Sequence, residues 1–230
     1  MQLLLLHGVN NTPNAWLGVR NVLEAHGHEC TTVFLPALNS VDDIAAQILQ
    51  GLTPGQFWVV GHSFGGMVAL ALAQMAPERL AGVALVNSSV TADTEMARSA
   101  RAERVIKAES GQYLELANAA SARAYHPANQ GRPDLLEARE ADIAAYGSER
   151  FIAHQKAMAS RPDRSAFLKD FSAPKLAVIA EGDVVIPCES QASVALECGM
   201  SIVKVPLAGH MLPMEQPDAL AEALLAWLEN

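Results

Sequence analysis

Residues 57–75 read FWVVGHSFGGMVALALAQM: a short apolar run, a serine among glycines, and a long apolar run. The first run has the length and composition of a buried strand, and the last has helical spacing. Where a strand passes directly into a helix through Gly61-His62-Ser63-Phe64-Gly65, the serine occupies a sharp, strained turn that lifts its hydroxyl clear of the backbone. Glycine is needed at 61 and 65 because side chains there would collide with neighbouring backbone as the chain reverses. The helix points its positive end at the hydroxyl, which favours a developing oxyanion, and the N–H of Phe64 is a candidate donor. The bare pattern turns up by composition in roughly one chain in fifteen of this size. Its placement between strand and helix is what makes Ser63 a candidate nucleophile.

Outward from this stretch the alternation continues. Strands are predicted at 2–7, 29–35, 56–60, 80–87, 174–183 and 200–206. Helices are predicted at 15–26, 40–51, 64–76, 189–198 and 218–228. The first carries Trp16, Val19, Val22 and Leu23 on one face and stops at Gly27, and the second opens on Ser40 with an acid three residues on, a capping-box-like start. Apolar strands separated by helices imply an α/β, doubly wound, mostly parallel sheet of about six strands, covered on both faces.

Residues 91–170 differ. They hold 12 of the 16 Lys+Arg and 12 of the 25 Asp+Glu, so the segment is neutral and the rest of the chain carries the whole net charge of −9. It lacks a strand-like run and breaks at Gly111, Pro127, Pro133 and Gly147. Leu114, Leu116, Tyr125, Leu135, Leu136, Ile143, Phe151 and Ile152 offer apolar faces. Helices inserted after the fourth strand, as a cap on a core formed by 1–90 and 171–230, account for this composition. Twelve basic residues on a lid could recognise an anionic acyl chain or carrier; a solvated, mixed-charge face is the preferred reading.

Half of the 230 residues are apolar, enough for a sizeable core. The negative balance argues against nucleic acid or an anionic membrane as partner. No apolar run reaches the roughly 20 residues of a membrane span, and MQLLLLHG lacks the basic flank of a signal peptide. Cys30, Cys188 and Cys198 form neither an even set nor a CxxC pair, so no disulfide framework, no metal site and a reducing, cytoplasmic setting are expected.

A serine hydroxyl needs a base, and the base needs an orienting carboxylate. On this kind of sheet they follow in the order Ser, acid, His. His210 lies in LAGHMLPMEQP, after the last strand, and Asp183 lies in AEGDVVIP, after the strand before it. Ser63, Asp183 and His210 therefore leave three strand ends at the carboxyl edge, where open α/β sheets bind ligands. Glu181 is the rival acid, and Asp183 is preferred because it lies farther out in the loop. His7 is expected to shape its turn and His62 to pack against the sheet. His126 and His154 are expected at the surface or pocket rim.

LLLLHGVNNTPNAW, VVGHSFGGMVALALAQMAPERLAGVALVNSS, AEGDVVIP and AGHMLPMEQPDAL resemble, in order, the four signature segments of the α/β-hydrolase superfamily. The resemblance covers nearly everything outside 91–170, where helical caps occur in the family. It implies a second oxyanion donor at the N–H of Val9, and substrate-pocket positions at Trp16 and Met211. Because the first strand begins at once, the N-terminal hairpin of larger members is expected to be missing. Relatives resembling dehalogenases and epoxide hydrolases carry Asp at the elbow, and hydroxynitrile lyases place Lys after the histidine, where this chain has Met211. Small carboxylesterases and carboxylic methyl-ester or enol-lactone hydrolases are the nearest in pattern. The expectation is a serine hydrolase acting on a small-molecule ester, as a monomer or homodimer, without cofactor. The same triad could instead serve thioesters, carbon–carbon bonds, peroxide chemistry or a slow-turnover receptor.

Overall fold

A computed structural model describes residues 1–229. In chain order the elements are β1 (Gln2–Leu6), α1 (Leu17–Ala25), β2 (Glu29–Val33), α2 (Val41–Gly51), β3 (Phe57–His62), α3 (Phe64–Met75) and β4 (Leu80–Val86). Then follow α4 (Glu95–Lys107), α5 (Tyr113–Ala124), α6 (Pro133–Ser160) and α7 (Ser165–Asp170). The chain closes with β5 (Lys175–Ala180), α8 (Cys188–Glu197), β6 (Ser201–Val205), α9 (Leu212–Glu215) and α10 (Pro217–Leu228).

The six strands form one sheet in the order β2-β1-β3-β4-β5-β6, and every pairing is parallel. Successive side chains alternate between its faces. Leu4, Leu6, Val59, Val83, Leu85 and Ile179 meet α2, α3 and α8 on one side. Leu3, Leu5, Val60, Ala84, Val86 and Val178 meet α1 and α10 on the other. Burial on both faces explains why the central strands are apolar throughout. α3 is buried from Phe64 to Ala73, which accounts for its apolar character on every side.

The chain lays β1 then β2 in one direction and reverses to place β3 on the far side of β1. At such a switch point the loops leaving neighbouring strands diverge and open a crevice. Here those are the loops after β1 and β3.

Between β4 and β5 the chain is helical. Ala108–Gln112 connects α4 to α5 with Gly111 at φ 89°. Gly147, at φ 76° and ψ 163°, kinks α6 and divides it into two helical pieces. Both are backbone states that favour glycine. Pro133 opens α6, where its missing N–H costs no helical bond. Ala108, Tyr113, Ala117, Ile143, Tyr146 and Phe151 form a separate apolar cluster, against which Val9 packs.

Candidate active site

Ser63 sits between β3 and α3 at φ 51° and ψ −115°, a conformation that costs about 1–3 kcal/mol for a residue with a side chain. Its surroundings hold it there. Its N–H donates to Val86 O at 2.9 Å, and its carbonyl accepts from Ser88 Oγ at 2.7 Å. A Cβ on Gly61 would overlap the carbonyl of Gly65, and one on Gly65 would overlap that of Leu6. α3 is therefore seated against β1 and β3 at a distance only glycine permits.

His210 follows β6. Its Nε2 lies 2.9 Å from Ser63 Oγ, and its Nδ1 lies 2.8 Å from Asp183 Oδ2. Asp183 follows β5, is buried, and accepts on Oδ1 from the N–H groups of Val185 (2.8 Å) and Ile186 (3.0 Å). Gln191 Nε2 donates to Oδ2 at 3.1 Å. Burial alone would raise the Asp183 carboxyl, but the His210 hydrogen bond and the two backbone N–H groups outweigh it and hold it below its ordinary value. The rival acid, Glu181, is exposed. An ionised Asp183 fixes the proton of His210 on Nδ1 and leaves Nε2 free to accept from the serine hydroxyl.

The loop carrying His210 is clamped by residues that strand-end logic did not single out. Asn87, just beyond β4, donates from Nδ2 to the carbonyls of Gly209 and His210, each at 3.0 Å, and accepts the N–H of Ala180 at 2.8 Å. Buried Glu215 accepts from Gly209 N at 2.9 Å on one oxygen, and from His126 N and Asn129 Nδ2, both at 2.8 Å, on the other. The N–H of His210 donates to Ala124 O, at the end of α5, at 2.7 Å. The signal available for Asn87 and Glu215 was their polarity inside segments otherwise built to be buried.

His7, His62 and His154 have structural partners. His62 donates from Nε2 to His210 O at 2.7 Å, and burial lowers it to about 3. It faces the His210 loop as well as the sheet. His7 donates from Nδ1 to Gly8 O and accepts from Leu35 N, which shapes its turn. His126 is half-buried. His154 differs from the rim or surface position expected of it. It lies on the buried face of α6, bonded through Nδ1 to the Tyr146 hydroxyl and through Nε2 to Pro36 O, with its ring 4.5 Å from that of Phe64.

A cavity of about 410 Å³ opens above Ser63 and His210. Val9, Met67, Leu116, Phe151 and Met211 are among its apolar walls, and α4 contributes Ala97, Ala100, Arg101 and Arg104. Met211 thus lies where a pocket residue was expected. Trp16 does not: it is fully buried on the opposite side of the sheet, among Leu5, Val19 and Leu220. The segment from 13 to 25 packs on the α10 side, so its apolar face points away from the crevice.

The N–H groups of Val9 and Phe64 have no protein acceptor among the described residues. The loop holding Val9 is braced from above. Asp142 on α6 accepts from Thr12 Oγ1 at 2.6 Å and Asn11 Nδ2 at 3.3 Å, and Asn10 accepts from the Tyr113 hydroxyl at 3.3 Å. Among the described residues there is no cluster suited to a metal ion, and no helix is long and apolar enough to cross a membrane.

Comparison with known proteins places this geometry. A "Putative carbamate hydrolase RutD" from Pantoea ananatis is 24% identical over 217 residues, covering 91% of this chain and 78% of the relative. A structure of a thermophilic esterase from Thermogutta terrifontis, malate bound, superposes with a TM-score of 0.89 at 26% identity, covering all of this chain and 89% of that one. The enol-lactonase from Burkholderia xenovorans LB400 shares the fold at a TM-score of 0.89 and 17% identity, with 91% of its length covered. Residues 3–223 match the alpha/beta hydrolase family, and the chain belongs to that family.

Proposed function

We propose that the protein hydrolyses a carboxylic ester of small to medium size through an acyl-Ser63 intermediate. The observation that carries this reading is the unbroken hydrogen-bond chain from Ser63 Oγ through His210 to Asp183, opening on a largely apolar cavity. Ser63 Oγ attacks the ester carbonyl as its proton passes to His210 Nε2. Asp183 stabilises the resulting imidazolium. The tetrahedral oxyanion is received by the N–H groups of Val9 and Phe64 at the positive end of α3. His210 returns the proton to the leaving alcohol, and water then cleaves the acyl-serine by the same route. Residues 91–170 act as a cap that sets substrate size.

The esterase among the structural relatives and the carbamate hydrolase among the sequence relatives support acyl transfer to water. A carbamate carbonyl presents the same electrophile. Three unpaired cysteines fit a reducing compartment, and we place the protein in the cytoplasm.

Steady-state and burst kinetics with p-nitrophenyl esters test this reading. Sustained turnover that disappears in Ser63→Ala supports it. One stoichiometric burst with almost no steady state would point to a receptor, and turnover that survives in Ser63→Ala would rule out the nucleophile.

A further inference from the structure

One wall of the cavity is a face of α4, presented by Ala97, Ala100, Arg101 and Arg104 at helical spacing. The chain has 25 acidic residues against 16 basic, yet this cavity is lined by two arginines and no carboxylate. Three other basic residues of the segment are ion-paired on solvated faces: Arg98 with Glu95, Arg132 with Asp134 and Lys156 with Glu109.

The two arginines are not equivalent. Arg101 is held by Asp93, 2.5 Å from its Nε, and by Gln155, 3.3 Å from a terminal nitrogen. Asp93 also takes Arg161 at 2.7 Å, so one carboxylate serves two guanidinium groups. The Arg104 side chain is exposed and makes no hydrogen bond or ion pair among the described residues, although the charges of Asp93 and Glu103 act on it. Partial desolvation against the cavity and the nearby charge of Arg101 lower its proton affinity, while Asp93 and Glu103 act the other way, and a guanidinium remains charged at any physiological pH. The corner where α4 meets the cavity therefore sets Arg101, Arg104 and Arg161 against Asp93 and Glu103, a surplus of one positive charge.

We propose that the substrate of this site carries a carboxylate at the end remote from the scissile carbonyl, and that Arg104 receives it. The class is a half-ester of a dicarboxylic acid. The inference rests on Ser63 being the nucleophile, since it needs the reacting carbonyl at that end of the cavity. A planar guanidinium fork matches a carboxylate through two parallel N–H···O bonds. One free guanidinium balances one negative charge. A phosphate monoester would bring a second charge against apolar walls with no partner.

The test compares p-nitrophenyl hemi-adipate with p-nitrophenyl hexanoate, esters of equal acyl length that differ by the terminal carboxylate. The hemi-adipate is expected to have the higher kcat/KM, by about tenfold at low salt. Arg104→Gln is expected to lower kcat/KM for the hemi-adipate about tenfold more than for the hexanoate, and Arg104→Lys to restore part of the ratio. A hemi-adipate preference that is absent, or is unchanged in Arg104→Gln, overturns the proposal while leaving ester hydrolysis intact. If the protein turns over neither ester, the hydrolase reading fails instead. Calorimetric binding of monomethyl adipate to Ser63→Ala then decides the subsite: binding lost in Ser63→Ala/Arg104→Gln supports it, and no binding, or binding indifferent to Arg104, overturns it.

Discussion

Asp183→Asn changes one atom, and the surroundings dictate where that atom goes. Oδ1 accepts two backbone N–H groups, from Val185 and Ile186. An amide nitrogen there would face two donors, so the asparagine must keep its oxygen on that side. Its NH₂ is then turned toward His210 Nδ1, which has to become an acceptor. The histidine proton moves to Nε2, the nitrogen 2.9 Å from Ser63 Oγ, and the base is lost although every heavy atom stays in place. The same NH₂ also faces the Gln191 side-chain donor, a further cost but one that does not restore the tautomer. The loss expected from a wrong tautomer is about 10⁴ in kcat, or about 5.4 kcal/mol in barrier height. Stopped-flow or steady-state turnover of an activated ester measures it, with circular dichroism to establish that the variant is folded. An Asp183→Asn protein retaining kcat within tenfold of the parent would refute the tautomer argument and with it the role assigned to Asp183.

Four further outcomes follow from packing and charge. His7 and His62 are lowered to about 3, and His154 to about 4, chiefly by burial, while unfolded histidine titrates near 6.5. Between about pH 6.5 and 4 the unfolded chain therefore binds more protons, so stability falls as pH falls, by about 2 kcal/mol per histidine at pH 5. Urea unfolding across that range should show it, with the slope reduced by about one proton in His154→Gln. Gly65→Ala should destabilise by more than about 3 kcal/mol or prevent folding, because its Cβ meets the backbone of Leu6. Gly51→Ala, at an open helical position, should gain up to about 1 kcal/mol in the same denaturation assay. Glu215→Gln places an amide nitrogen against at least one of three donors, and urea denaturation should record a loss of about 1–3 kcal/mol.

What could be read in advance was whatever repeats locally. Strand and helix periods are short-range, so the α/β alternation was legible, and so were the breaks at Gly111 and Gly147, where the backbone adopts a glycine conformation. Ser63, Asp183 and His210 were legible because each directly follows an apolar strand, and parallel strands send all such loops to one edge. Trp16 was misassigned because periodicity says that a helix has a buried face but not which side of the sheet it covers. His154 was misread for a related reason: its partners, Tyr146 and Pro36, come together only through packing of α6 on the core. The brace from Asp142 to the Val9 loop spans 130 residues and leaves no mark in the local pattern of either segment.

Covalent labelling tests the central claim most directly. Treating the protein with an alkyl fluorophosphonate, then mapping the adduct by peptide mass spectrometry, asks which hydroxyl has been made nucleophilic. The expected result is one adduct per chain on Ser63, abolished in Ser63→Ala and slowed in His210→Ala, with ester turnover lost in step with labelling. An adduct on another residue with Ser63 untouched, or labelling of Ser63 at an undiminished rate without the imidazole of His210, would contradict it.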